Sequence, residues 1–334
     1  MDQERSLADV LLSALGGHDD PEAAAAAVVD DGAAMALGWR RLMTDYEAEV
    51  LDRRGSALRL LEVLYMACWT VGTLFERDHV PAAQAADDVR VAVLRQLWGL
   101  SMESAGEVLT LLRFGYPHGA MARWRHLREA EVISLFIASH DRDVAEAYEQ
   151  HAALRGIRGR RDYQRWARQA CEETLSHQEL RQMDAAEARM LRPHPEWEGD
   201  YGWAHEALLQ HGGRYPEFAR NDKRRRGPTF SDLERALGSG HDRIWFRIAS
   251  ESVHLTLAPS SDAMSGLPQP EAIDTIAQLV TTTLWVPVAA LLLVWPTPVH
   301  PDEELTRQVQ LLRELATSAG DAWTSPPTED GDPD

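Results

Sequence analysis

Arg247, Ser250 and His254 stand at i, i+3 and i+7 of the segment GHDRIWFRIASESVHLTL, residues 240–257. At 3.6 residues per turn these positions fall close to one helical stripe, so a cation, a hydroxyl and an imidazole face one side. An imidazole exchanges a proton near neutral pH, and a guanidinium holds a phosphate as a permanent cation. Together they are a minimal set for cleaving a phosphodiester without a metal. In that chemistry His254 withdraws or returns the proton of a ribose 2′-hydroxyl, Arg247 neutralises the charge developing on phosphorus, and Ser250 and Glu251 orient them. Arg125 and Glu129, spaced i and i+4 on an earlier helix, add a second cation and an acid if the two helices pack together. The same residues also admit an architectural reading. His254 is then satisfied by a backbone carbonyl or by Glu129, and Arg125 and Glu129 form an internal ion pair that fixes helix register.

Other chemistries have less support. Gly-rich phosphate loops, Gly-x-Ser-x-Gly elbows, His-Glu-x-x-His segments and paired cysteine motifs are missing from the sequence. His126 with Glu129 and Glu173 with His177 have ligand spacing on a helix, but a diiron bundle needs further matched carboxylates and a repeated Glu-x-x-His. No metal and no cofactor are expected. Most of the eleven tryptophans, among them Trp69, Trp98 and Trp285, lie in apolar helical runs and read as core.

The elements that must carry these residues are helices. Apolar residues recur at helical spacing almost throughout, strand-length Val/Ile/Thr alternation is missing, and no hairpin dipeptide separates apolar runs. The expectation is an all-α protein, a multi-helix bundle with long helices and one long irregular loop. Helices are expected at residues 4–15, 34–54, 56–78, 81–113, 118–139, 142–154 and 160–191, with a short Ala-rich segment at 22–29. Prolines and glycines crowd residues 192–228, marking the long loop, with one short helix at 203–210. Ser231 with Glu234 reads as a capping box, and that helix stops at Gly238. The helix of Arg247 follows, then a connection at 258–270 and two last helices at 271–295 and 302–318. Three regions are expected: an N-terminal helical region 1–94, a helical bundle 95–319 with the candidate site, and a disordered acidic tail 320–334.

With 334 residues, 44% of them hydrophobic, the chain can bury a sizeable core. The formal net charge of −19 repels nucleic acid and anionic lipid on average, yet two basic islands interrupt it. One holds Arg155, Arg158, Arg160, Arg161, Arg165 and Arg168, and the other Arg220, Lys223, Arg224, Arg225 and Arg226. Either can meet RNA phosphates through several guanidinium forks, or be a solvated face. Cys68 and Cys171 sit in apolar helical stretches without paired spacing and are read as buried thiols of a reducing cytoplasm. The acidic start of the chain lacks the basic and apolar regions of a secretory signal. Residues 275–301 carry no charge, but Gln278, Thr281, Thr282, Thr283 and Pro287 favour a core helix over a membrane span.

Residues 108–137, VLTLLRFGYPHGAMARWRHLREAEVISLFI, and the segment from Thr229, TFSDLERALGSGHDRIWFRIASESVHLT, together resemble the bacterial domain-of-unknown-function family fifty-six seventy-seven. The first motif maps onto Gly115, Tyr116, Arg125, Leu127 and Glu129, and the second onto Ser250, Val253 and His254. That resemblance implies an all-α bundle in a cytoplasmic bacterial protein over about residues 95–295, with no agreed activity. A looser resemblance is to HEPN ribonucleases, whose signature is Arg, four to six residues, then His; Arg247 and His254 are separated by six. It implies a metal-free endoribonuclease acting as a toxin or phage-defence effector, with a site that a homodimer can complete. The alternative is a non-catalytic helical interaction or regulatory module.

Overall fold

In a computed structural model the described residues are 17, 20–210, 227–253, 273–295 and 302–324, and they contain helices and turns with no strand. The long helix α1, Pro21–Asp78, is capped by the Asp20 carboxylate and started by Pro21. It leads into α2, Val80–Ala85, and α3, Val89–Arg113, separated by Asp87, which takes a left-handed φ of 52°, and by the Asp88 cap. Gly115, at φ 68°, turns the chain into α4, Pro117–Ala138. Next come α5, Arg142–Gln169, and α6, His177–Leu191, the latter opened by a capping box between Ser176 and Glu179. Two short 3₁₀ turns, Pro195–Glu198 and Gly202–Ala204, precede α7, His205–Gln210. The remaining described helices are α8, Phe230–Leu237, α9, Arg243–Val253, α10, Asp274–Thr283, α11, Val286–Leu293, and α12, Glu303–Thr324.

The organising helix is α4. It packs against α3 along its length and touches α8, α9, α10 and α11. Much of its surface is therefore buried, with Trp124, Leu127, Val132, Phe136 and Ile137 wholly removed from water. The indole of Trp124 donates to Thr283 Oγ1 at 3.1 Å, which settles the one polar atom on a ring wholly removed from water. Along α1 the body is held by α3 and α12. At Gly72 a Cβ would fall inside the Trp98 ring, so the absence of a side chain there lets α1 and α3 approach.

Several expectations change in detail. The segments 22–29, 34–54 and 56–78 are one continuous helix, because Gly55 lies within a helix whose packing outweighs its low propensity. The break expected between residues 154 and 160 is also missing, and the true break falls at 170–176, inside the helix expected at 160–191. Cys171 sits in that break at φ 57° and is exposed, so only Cys68 is the buried thiol. Burial pushes the Cys68 thiol well above its ordinary range. The cap of α8 is Thr229, whose N–H and hydroxyl both donate to Asp232, in place of Ser231 with Glu234. Trp69 is 47% exposed, whereas Trp98 is buried.

The apolar stretch after residue 273 divides into α10 and α11 around Pro287 and is 78% buried over its most apolar window. It is one of two described segments long and apolar enough to cross a membrane; the other, Leu37–Asp78, is 39% buried. The last helix, expected to stop at residue 318, runs on to Thr324, so residues 320–324 of the expected disordered tail are helical, because Ala319 and Trp323 are buried. The helix expected at 4–15, the second basic island, the connection at 258–270 and the rest of the tail lie outside the described residues.

Candidate functional site

Two helices distant in sequence meet where the candidate residues lie. Arg125 Nε on α4 donates to Ser250 Oγ on α9 at 3.0 Å, and the same hydroxyl donates to the Phe246 carbonyl at 2.8 Å. The Arg125 guanidinium carbon stands 5.0 Å from the centre of the Phe246 ring, a cation–π contact. Phe246 stacks on Phe230 at 4.3 Å, and Phe230 leans on Tyr201 at 5.9 Å. This aromatic file joins α9, α8 and the 199–204 turn into one wall.

Glu129, one turn beyond Arg125, does not pair with it among the described residues. Its carboxylate instead accepts a 2.5 Å hydrogen bond from the Tyr201 hydroxyl. Burial, then the nearby Glu129 charge, pushes the Tyr201 phenol far above its ordinary range, so Tyr201 remains a donor at every physiological pH. Arg247 is exposed on α9, one turn before Ser250. The structure therefore joins Arg125 to Ser250, sets Glu129 against Tyr201 at the other end of the aromatic file, and leaves Arg247 solvent-exposed on α9. Glu251 lies within α9, where its side chain is not described, and His254 lies outside the described residues.

Beside this wall is a cavity of about 250 Å³. Its floor is apolar, with Leu97, Ile133 and Trp203, and its rim carries His126, Glu129, Arg155 and Tyr201. Glu129 thus links Tyr201, at one end of the aromatic file, to the cavity. His151, another lining residue, faces the Gly199 carbonyl through Nε2 at 2.9 Å. Burial lowers its affinity for a proton, which favours the neutral ring. His126 and Glu129 do share this rim, but no group of three His, Cys, Asp or Glu side chains positioned for a metal occurs among the described residues.

A second charged cluster lies deeper and was not among the expected site residues. The Arg128 side chain is only 1% exposed and faces three carboxyl groups. Its Nη1 donates to Glu131 at 2.7 Å and is 3.5 Å from Asp242; its Nη2 donates to Glu234 at 3.4 Å and to the Ser239 carbonyl at 2.5 Å. Burial raises the Glu131 carboxyl to about 7 despite the opposing Arg128 charge, and burial raises that of Glu234 as well. This cluster ties α4 to α8 and to the 240–242 turn that launches α9, so it fixes the angle at which α9 reaches Arg125. A signal existed in the sequence: Arg128 lies four residues from Trp124 and four from Val132, on a buried stripe where a charge requires partners.

The profile of a family of unknown function, DUF5677, matches residues 91–265, a span that contains α4 to α9, all but the first two residues of α3, and the site residues above. No curated protein and no solved structure matches the chain.

Proposed function

The chain belongs to DUF5677, a family of unknown function, and we propose that its α4–α9 face is an HEPN-like, metal-independent ribonuclease site in a cytoplasmic toxin or phage-defence effector. One observation carries the reading. Arg125 and Ser250, 125 residues apart, are hydrogen-bonded across α4 and α9, with exposed Arg247 on the same helix as Ser250. In the proposed reaction His254 takes the proton of a ribose 2′-hydroxyl, whose oxygen attacks the adjacent phosphorus. The bond to the 5′-oxygen breaks, and His254 returns the proton to that leaving oxygen. Arg247 neutralises the charge on the phosphoryl oxygens, Ser250 and Glu251 orient the reacting groups, and Arg125 holds Ser250. Glu129, gripped by Tyr201, places a carboxylate on the cavity side.

A second reading is an interaction module without catalysis, favoured by the engagement of Arg125 with both Ser250 and Phe246, an arrangement that also serves as a plain helix tie. Arg247→Ala separates the two. Because Arg247 is exposed, its removal leaves the thermal midpoint within a degree or two of the native value. The ribonuclease reading expects RNA cleavage and any growth arrest on expression to disappear with it; unchanged cleavage by the variant would remove Arg247 from the mechanism.

A further inference from the structure

The first basic island is not a uniform patch of free cations. Arg158 donates to Glu187 at 2.8 Å and to the Glu198 carbonyl at 3.2 Å. Arg161 pairs with Glu187 at 2.5 Å, and Arg165 is held by Asp162. Those three guanidinium groups are neutralised by α6, by the adjoining 3₁₀ turn or by their own helix. Arg155 and Arg160 are exposed and have no ion pair among the described residues.

What accompanies these two arginines distinguishes the face. Tyr163 and Trp166 are 55% and 53% exposed, with ring centroids 5.4 Å apart and planes tilted by 39°. At 3.6 residues per turn, Arg155, Gly159, Tyr163 and Trp166 fall within an arc of about 80° on α5, and Gly156 and Arg160 extend it to about 140°. A Cβ at either Gly156 or Gly159 would meet nothing within 4 Å. Glycine weakens a helix interior relative to alanine, and no packing within the described structure requires it at these two sites. Bare backbone beside two exposed rings and two unpaired cations makes a flat, positively charged shelf on a protein of net charge −19. Arg155 also lines the cavity that holds Glu129 and Tyr201, so the shelf is continuous with the candidate site.

We infer that the outer face of α5 from Arg155 to Trp166 is a stacking track for single-stranded RNA, feeding the cavity beside Glu129. The proposal rests on the ribonuclease reading for its choice of RNA. Exposed rings take unpaired bases on their faces, and the flanking guanidiniums take phosphates and stack on bases in turn. Duplex RNA, whose bases are already stacked, has no use for the rings. Asp162, about 20° outside this arc, is occupied by Arg165 and so opposes the backbone less.

The test is binding of a fluorescent 2′-O-methyl oligoribonucleotide to the full protein in EDTA; without a free 2′-hydroxyl this probe survives the proposed cleavage. Stacking on one ring changes affinity by about fivefold or more, so Tyr163→Ala/Trp166→Ala together should weaken binding about 30-fold or more. Tyr163→Phe/Trp166→Phe should retain most of it, and a duplex of the same sequence should compete poorly. Arg155→Ala/Arg160→Ala should flatten the salt dependence of binding by about two phosphate contacts. Equal binding by the double alanine variant and the native protein, with native cleavage of ordinary RNA intact, overturns the track and spares the ribonuclease reading. Native protein that neither binds the probe nor cleaves RNA overturns both and leaves the aromatic pair as a docking surface for a protein.

Discussion

Replacing Arg128 with Met removes the buried guanidinium from a pocket that retains Glu131, Glu234 and Asp242, side chains that are 10%, 2% and 13% exposed. Breaking a buried charge pair from one side costs about 3–5 kcal/mol, because the abandoned charge keeps its desolvation penalty and loses its partner. Against a typical domain stability of about 5–15 kcal/mol, the loss is large at neutral pH. It should shrink in acid. The Glu131 carboxyl titrates at about 7 in the native protein, with burial raising it and Arg128 holding it down, so removing Arg128 raises it further. A raised folded-state carboxyl pKa means that the folded protein binds the proton more tightly. The added penalty therefore grows with pH up to the variant's own folded value, above 7, and fades as pH falls toward the ordinary glutamate range. Urea unfolding of native and Arg128→Met protein at pH 7.5 and 5.5 gives the comparison directly. The deficit should be about 3–5 kcal/mol at pH 7.5 and distinctly smaller at pH 5.5. A deficit below about 1 kcal/mol at pH 7.5, or one equal at the two pH values, would refute the reasoning.

Two further outcomes test the same frame. In the native protein Glu131 alone should lower stability by about 3 kcal/mol as pH rises from 4.5 to 7, and Glu131→Gln should flatten that part of the urea midpoint profile. Gly72→Ala drives a methyl group into the Trp98 ring and should cost about 1–3 kcal/mol in thermal or urea unfolding, whereas Gly156→Ala, in open space, should stabilise α5 slightly.

The helical class was legible because apolar periodicity needs no partner to be read, and the long helices follow from it. Breaks were harder. The Ser176-x-x-Glu179 box that opens α6 was present in the sequence, but an unbroken polar–apolar pattern ran through it. Gly55, read as a boundary, is passed over because buried Val50 on one side and Ala57 and Leu58 on the other anchor α1 across it. Glu234 drew attention as a cap partner three residues after Ser231; its actual role depends on Arg128, 106 residues earlier, a distance no local rule spans. Trp69 has the letters of a core residue in an apolar run, and only packing shows that its side of α1 is open. The sequence made the packing of the Arg125 helix on the Ser250 helix a condition of the candidate site without naming the Arg125–Ser250 pair, and the pairing of Glu129 with Tyr201 was not legible, since Tyr201 lies in a glycine-flanked turn without periodicity.

The central claim, that this family member cuts RNA through a metal-free Arg–His chemistry on the α4–α9 face, is tested most directly by one incubation. Total RNA is mixed with native protein and with His254→Ala protein in EDTA, after both are shown to unfold at the same temperature. The account predicts cleavage by the native protein and a rate about 100-fold lower or less for the variant, the share general acid–base catalysis ordinarily supplies. RNA left whole by the native protein, or cut equally by both, would contradict it.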